Sequence, residues 1–132
     1  MMLPKFRAWH KKENRMVKQE EISSLHYLDG ELNVVQTRDS RLLGIGDLRL
    51  MPWVGLKDFH NQELYHSDII QDEEENDGVL RIIVWDKEYC MFCANLVNGD
   101  KHDPYYSVRL DDIHMRKKGN IFENSELLGS RV

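Results

Sequence analysis

Short apolar runs, separated every few residues by glycine, aspartate, asparagine or proline, constrain the fold of this chain more than any other feature. Strands joined by tight turns give this pattern, whereas an amphipathic helix needs a longer stretch with helical periodicity. The runs 25–28 and 32–35 flank Asp29-Gly30, which supplies the positive φ angles of a two-residue hairpin turn. The sequence therefore predicts a mainly β protein with a hairpin at this point.

The first fifty residues contain further strand patterns. The run 5–9 alternates polar and apolar residues, and Trp9 falls out of phase, which predicts a strand with a twist or bulge at its end. We expect a turn over Lys11, Lys12 and Arg15, a loop or irregular strand at 42–46, and a strand at 48–51 that stops before Pro52. This half of the chain is thus predicted to be a β subdomain.

A second set of strands follows a polar segment. Residues 55–67 favour a structured turn, which Leu56, Leu64 and Tyr65 would anchor by burial. Five short runs after it predict successive strands, the first three as an antiparallel meander. One helical turn is expected within 124–128, where a cap-forming residue precedes Glu126 and two leucines. The five runs lie at 69–70, 79–85, 89–96, 105–110 and 113–116. Five such strands are enough to close a small barrel.

Length and charge limit the classes of function. A chain of 132 residues and 15.7 kDa is one domain, or two small subdomains sharing a core. No apolar run is long enough for a membrane span and no signal peptide pattern is present, so we expect a cytoplasmic protein without a membrane partner. A net charge of -5 argues against general attraction to nucleic acid.

The start of the chain is the exception, because residues 1–18 hold six basic residues and one acid. Aromatic side chains stand among the cations there, and stacking combined with phosphate contacts is how proteins hold single-stranded nucleic acid. This alternative function would use Lys5, Phe6, Arg7, Trp9, Lys11, Lys12 and Arg15. The excess of acid elsewhere, including the run 72–77, weighs against it, so nucleic acid is not the expected partner.

Cys90 and Cys93 have the CxxC spacing of zinc and redox sites. A zinc site needs four ligands and a redox pair needs a helix start, and neither context is evident. In a strand, residues three apart point to opposite faces, so the two thiols are expected to diverge and to pack as small apolar groups. We therefore expect no metal and no cofactor here.

Other polar groups also lack a catalytic arrangement. His60, Glu63 and His66 would share a face only in a helix, which the turn pattern excludes. An unrecognised hydrolase using Asp111, Asp112 or His114 stays as a further alternative, although no nucleophile or base is placed beside these acids by the sequence. No phosphate loop, nucleophile elbow or HExxH motif is present, so catalytic residues are predicted to be absent.

Three groups of residues resemble the YopX-like family of phage and prophage proteins. They lie at 5–9, at 55–58 with 63–65 and 68–70, and at 119–124 with 126–128, so the resemblance spans almost the whole chain. It implies a C-terminal SH3-like small barrel, which we place at 53–132. With the β subdomain expected at 1–52, the two would form one compact unit. The resemblance implies no activity, because the family is functionally uncharacterised.

The matched residues are expected to be structural, with aspartates accepting backbone hydrogen bonds around turns. They are Gly55, Leu56, Lys57, Asp58, Glu63, Tyr65, Asp68, Gly119, Asn120, Glu123 and Asn124. The family usually has Thr at 54, Asn-Gly at 60 and 61, and Gly at 67, where this chain has Val54, His60, Asn61 and Ser67. Asn61 can still adopt the left-handed conformation that the turn requires.

These observations favour a non-enzymatic binding or adaptor protein, expressed by a phage or prophage in the cytoplasm of a bacterial host cell. The partner would be a protein that the sequence does not identify. Self-association is a second expectation, because small sheets leave open edges and cannot easily hide the apolar residues Trp53, Val54, Trp85, Met91 and Phe92.

Overall fold

The computed structural model describes residues 5–73, 79–112 and 114–129, and it is mainly β as the sequence predicts. The chain divides into two units, Met1–Pro52 and Trp53–Val132. Strand β6 runs through the boundary, so its first half is counted with the N-terminal unit and its second half with the C-terminal unit. No helix in the described ranges has the length and apolar character needed to cross a membrane.

Strands of the N-terminal unit are β1 (Phe6–His10), β2 (Arg15–Val17), β3 (Ile22–Leu28), β4 (Glu31–Thr37), β5 (Leu42–Gly44) and the beginning of β6 (Leu48–Lys57). Strand β1 lies between β2 and β6, and β4 lies between β3 and β5, all pairs being antiparallel. The core of this unit consists of Ala8, Val17, Ile22, Val35, Leu43 and Leu48. Short 3-10 helices at Gln19–Glu21 and Ile45–Asp47 connect the strands.

The predicted hairpin is confirmed. Strands β3 and β4 pair directly across Asp29 and Gly30, whose φ angles are 52° and 81°. Two successive positive φ angles define the turn whose twist matches that of the flanking strands, which explains the Asp-Gly dipeptide.

Two details predicted for this unit are corrected by the structure. Of the twist or bulge predicted at the end of the first strand, the bulge is absent, because the register of β1 with β6 is continuous from the Phe6–Pro52 pair to the His10–Leu48 pair. Arg15 also lies in strand β2 and not in the preceding turn. Trp9 is half-buried while both its neighbours are buried, so the out-of-phase residue occupies the other face of a regular strand.

Strand β6 also extends further than the sequence predicts, because it passes through Pro52 and ends at Lys57. Pro52 lies opposite Phe6 at the last pair of the β1 ladder, a position where a missing N–H disturbs few bonds. Beyond it, β6 pairs with β7 (Glu63–Tyr65) through an irregular register, and Gly55 in that stretch has a φ of 89°. The segment predicted as one structured turn therefore contains two strands and a shorter turn.

The C-terminal unit contains a five-stranded antiparallel sheet with the order β11-β10-β9-β8-β12. Its strands are β8 (Asp68–Asp72), β9 (Leu80–Asp86), β10 (Met91–Leu96), β11 (Ser107–Arg109) and β12 (Met115–Asn120). The meander β8-β9-β10 is as predicted, and the strand β12 returns to pair with β8. An SH3-like barrel is consistent with this curled sheet and stays a prediction. Ile113, which the sequence predicts at the start of a strand, lies outside the described residues.

The core of the C-terminal unit is formed by Leu64, Ile70, Ile83, Ala94, Leu110 and Met115. The predicted helical turn near the end of the chain is present as a 3-10 helix at Ser125–Leu128. Asn124 precedes it but makes no side-chain capping bond, because its Oδ1 accepts the N–H of Asn120 instead, at 3.1 Å.

Candidate functional site

An apolar depression in the C-terminal unit, which we call the groove, has a volume of about 360 Å³. It is lined by Val54, Leu56, Met91, Phe92, Arg109, Leu110 and Asp111. The five apolar residues form most of the lining and the two charged residues lie at one end of β11. Concave apolar sites with a few polar groups are the usual form of a binding site.

The irregular part of β6 shapes one wall of the groove. Val54 packs against the core, whereas Leu56 is 42% exposed. The expectation that Leu56 is a buried anchor is therefore wrong, although Leu64 and Tyr65 are buried as predicted. On a regular strand, Val54 and Leu56 would point to the same face of the sheet and be buried alike. The register of β6 with β7 shifts between Trp53 and Lys57, so the two side chains can differ in burial.

Strand β10 contributes Met91 and Phe92 to the lining, next to further exposed apolar surface. Phe92 packs against the core and meets Trp85 edge-to-face, with the ring centroids 5.0 Å apart. Trp85 is 46% exposed. Aromatic residues exposed beside a depression are typical of the energetic centre of protein interfaces.

The two charges of the groove pair with each other. Arg109 Nη2 lies 3.3 Å from Asp111 Oδ2, and both side chains are more than 60% exposed. Exposed pairs of this kind contribute little to stability, so either charge is available to a partner group.

A second depression of about 330 Å³ lies on the same sheet. Its lining includes Trp85, Cys93, Tyr106 and Ser107. Cys93 is buried and its thiol donates to Asn95 Oδ1 at 3.6 Å, whereas Cys90 is exposed in the preceding turn. The two cysteines of the CxxC motif thus lie in different environments.

The acids and histidines considered for catalysis have structural neighbours. Asp111 pairs with Arg109, and the ring of His114 contacts Phe59 with centroids 4.6 Å apart. The side chain of Asp112 is outside the described part. Within the ranges 5–73, 79–112 and 114–129, no three His, Cys, Asp or Glu side chains are grouped to hold a metal ion.

His60, Glu63 and His66 are not brought together by a helix. His60 follows Asp58 in the turn and its Nε2 lies 3.6 Å from Glu73 Oε1. Glu63 begins β7, and His66 Nδ1 lies 2.8 Å from Ser67 Oγ.

Asp58 organises the turn between β6 and β7. Its Oδ1 accepts the N–H groups of His60 and Gln62 at 2.9 and 2.8 Å, and its Oδ2 accepts the N–H of Lys117 at 2.9 Å. Burial raises the pKa of this carboxyl, but these three backbone donors, helped by the charge of His60, outweigh burial and hold its pKa below the usual range. The carboxylate therefore joins a local turn to strand β12.

Asp68 is completely buried and is bound by the same strand. Its Oδ2 accepts the N–H of Tyr65 at 2.8 Å and lies 3.3 Å from Lys117 Nζ. Lys117 Nζ also donates to the carbonyl of Glu63 at 3.2 Å. A buried carboxylate needs such a charged and hydrogen-bonded partner, since an unpaired one would be strongly destabilising.

The third matched block forms a compact turn after β12. Asn120 Oδ1 accepts the N–H groups of Phe122 and Glu123, and Asn120 Nδ2 donates to Glu123 Oε1 at 2.8 Å. Gly119 has a φ of 155°, and a Cβ at this position would overlap the side chain of Asn124. Among the matched residues, only Leu56 lines the groove, while Gly55 lies between the lining residues Val54 and Leu56, and Lys57 is exposed.

The basic segment at the start of the chain is largely committed to contacts within its own unit. Arg7 is buried, Phe6 packs against the core, and Lys5 and Trp9 are half-buried. The other cations have acceptors nearby. Arg15 Nη1 lies 2.9 Å from Glu21 Oε1, Lys12 Nζ 3.6 Å from Asp47 Oδ2, and Lys11 Nζ 3.1 Å from the carbonyl of Gly46. These seven residues therefore lie along one segment, but only some of their side chains are exposed to solvent.

The groove was not predicted from the sequence. Its residues come from three separate strands and a 3-10 helix, so no linear motif marks them. The only signal was the number of large apolar residues at 53–54, 85 and 91–92.

Comparison with known proteins gives a family and a fold. The protein EF1440 from Enterococcus faecalis, known from a crystal structure, is similar with a TM-score of 0.64 and 20% sequence identity, over 98% of this chain and 100% of that chain. None of the curated proteins matches. The family model described as "YopX protein" matches residues 5–129. The chain therefore belongs to the YopX family.

Proposed function

We propose that the chain is a non-enzymatic binding or adaptor protein that holds an apolar part of a partner protein in the groove. The observation that carries the proposal is the exposed apolar surface at the groove: Leu56 in its lining is 42% exposed, and Trp85, which contacts the lining residue Phe92, is 46% exposed. Leaving such side chains in water is unfavourable, so a partner that covers them gains apolar burial. The charges of Arg109 and Asp111 beside the groove provide orientation.

The cellular setting belongs to the same proposal. Resemblance to a family of phage and prophage proteins supports expression from a phage or prophage, and we place the protein in the cytoplasm of the bacterial host. Two free cysteines agree with a reducing compartment.

Selection from a random-peptide display library on the whole chain tests the groove. We expect enriched peptides with a large apolar residue, and more than tenfold weaker binding of these peptides to Leu56→Asp. Leu42→Asp is the matched control, because Leu42 is 66% exposed and lies in β5 of the other unit. Failure to enrich any peptide, or equal loss of binding in both variants, would contradict the proposal.

Self-association is a second candidate function of the same surface. Each of the five residues suspected from the sequence keeps some exposure: Trp85 is exposed, and Trp53, Val54, Met91 and Phe92 are half-buried. If a second copy covers them, closed symmetry is expected, most often a dimer. Light scattering at micromolar concentration should then give about twice 15.7 kDa, and a mass of 15.7 kDa that is unchanged on concentration would exclude the dimer.

A further inference from the structure

The edge strand β11 runs beside the groove. It pairs with β10 on one side, and no other strand in the described part of the chain pairs with its second side. Ser107 and Arg109 are exposed and Val108 is half-buried. An exposed edge of this kind presents unpaired backbone groups on which another strand can form.

The register shows which backbone groups face outward. Residues opposite each other in an antiparallel ladder alternate between pairs that exchange hydrogen bonds and pairs that do not. Leu96 donates to the carbonyl of Tyr106 at 2.7 Å, so that pair is bonded. Along the ladder, the Ala94–Val108 pair is then bonded as well, whereas Ser107 and Arg109 direct their N–H and C=O groups away from β10.

Residues at the C-terminal end of β11 and just after it line the groove, and residues at its N-terminal end and just before it line the second depression. Arg109, Leu110 and Asp111 line the groove, while Tyr106 and Ser107 line the second depression. A chain segment hydrogen-bonded along β11 would therefore pass both depressions. Backbone bonds give such a complex its affinity, and pockets for alternate side chains give it specificity.

We infer that the occupant of the groove is an extended peptide segment of a partner protein that pairs as a strand with the outward groups of Ser107 and Arg109. A large apolar side chain of this segment enters the groove. The inference rests on the proposed function and specifies how the partner binds. Opposite charges on Arg109 and Asp111 favour a segment that carries complementary charges next to its apolar anchor.

Backbone N-methylation of a peptide selected on the whole chain tests strand pairing directly, because a methyl group removes one donor and keeps the side chains. When each position of the peptide is methylated in turn, the loss of binding affinity should alternate along the sequence. Methylation at one set of positions should weaken binding more than tenfold, and methylation at the positions between should leave it nearly unchanged, since only every second N–H of a strand faces β11.

A variant of the protein gives the reciprocal test. Ser107→Pro removes an outward donor and keeps the inward bonds of Val108, and proline is tolerated on the open side of an edge strand. We expect at least tenfold weaker binding, with the same thermal unfolding midpoint within a few degrees. Leu42→Pro, which introduces proline into the edge strand β5 of the other unit, is the control and should bind like the unchanged chain.

The outcomes separate the two proposals. If every methylated peptide and Ser107→Pro bind normally while Leu56→Asp does not, the groove is a binding site but strand pairing is wrong. If no peptide is enriched at all, the proposed function itself fails.

Discussion

Asp58 is a buried carboxylate whose negative charge stabilises the folded state. Three backbone N–H groups point at it, and one of them belongs to Lys117, fifty-nine positions later in the chain. Because the folded pKa lies below the unfolded value, the charge stabilises the folded state fully above the unfolded pKa of about 3.9. This contribution is lost as the pH falls through the folded pKa.

Replacing Asp58 by Asn should lower the free energy of unfolding by about 1 to 3 kcal/mol at pH 7, because the amide turns a donor toward at least one backbone N–H. Urea denaturation at pH 7 and near pH 3 measures the difference from the unchanged chain. The difference should shrink at the lower pH, because protonation of the carboxyl then begins to remove the stabilising charge.

Asp100→Asn is the control for this change. Asp100 is exposed and its Oδ1 accepts only the N–H of His102, at 2.9 Å. A loss below about 0.5 kcal/mol is expected there. Equal losses in the two variants would mean that the long-range bond of Asp58 to β12 carries no stability.

Gly119→Ala should also destabilise the C-terminal unit, by about 1 to 3 kcal/mol. The backbone angle disfavours a side chain, and the new methyl would displace Asn124, whose Oδ1 accepts the N–H of Asn120. Gly46→Ala is the control, because a Cβ added at Gly46 would meet nothing within 4 Å. Thermal unfolding should show a clear loss for the first variant only, and similar midpoints would contradict the steric argument.

At this scale, local backbone chemistry was predictable and long-range partners were not. Asn61 was expected to adopt the left-handed conformation and has a φ of 65°, and Ser67 has a φ of 74° where the family usually has glycine. The turn bonds of Asp58 follow from its position before a tight turn. The contacts of Asp58 and Asp68 to Lys117 could not be inferred, because no local pattern links residues so distant in sequence.

Among the elements, the short strand β7 is held mainly by Leu64. This side chain is completely buried in the core of the C-terminal unit. Leu64→Ala should therefore lower the free energy of unfolding by about 2 to 5 kcal/mol, through lost burial and the cavity left behind. Chemical denaturation of Leu64→Ala beside Leu56→Ala provides the comparison, because Leu56 is 42% exposed and its loss should cost far less. A negligible effect of Leu64→Ala would refute its place in the core.

Regular strands were predicted well, and irregular ones were not. The hairpin at Asp29-Gly30 and the meander have clear apolar periodicity and turn residues, so their local sequences are enough to predict these strands. Strand β6 misled the prediction, because Pro52 and Gly55 are residues that usually interrupt strands. Here the first lies at the end of a ladder and the second in a register shift, which only the pairing partners reveal.

For the whole molecule, we expect weak nucleic-acid binding. The net charge is -5, Arg7 is buried, and Arg15 and Lys12 have carboxylates within 4 Å. Fluorescence anisotropy with single- and double-stranded probes at low salt measures this property. Tight binding with a steep salt dependence, abolished by Lys11→Glu combined with Lys12→Glu, would instead support the basic segment as a nucleic-acid site.

Fold class and family followed from the sequence, because alternation, turn residues and three matched blocks extend along most of the chain. The candidate site could not be predicted from the sequence, because the groove and the open edge of β11 depend on the order of the strands in the sheet. Strand order depends on pairings between residues far apart, and the apolar runs of this chain are too similar to specify which strand ends at an edge.

The return of β12 to β8 affects the order in which the chain can fold during synthesis. Asp58 and Asp68 are synthesised before Lys117, which supplies one of the backbone donors to Asp58 and a cation to Asp68. Until Lys117 leaves the ribosome, each carboxylate lacks one of its partners, so its burial costs more than in the complete fold. We therefore expect the nascent C-terminal unit to complete its packing only after β12 has emerged, and a chain cut short before β12 should be more sensitive to proteases.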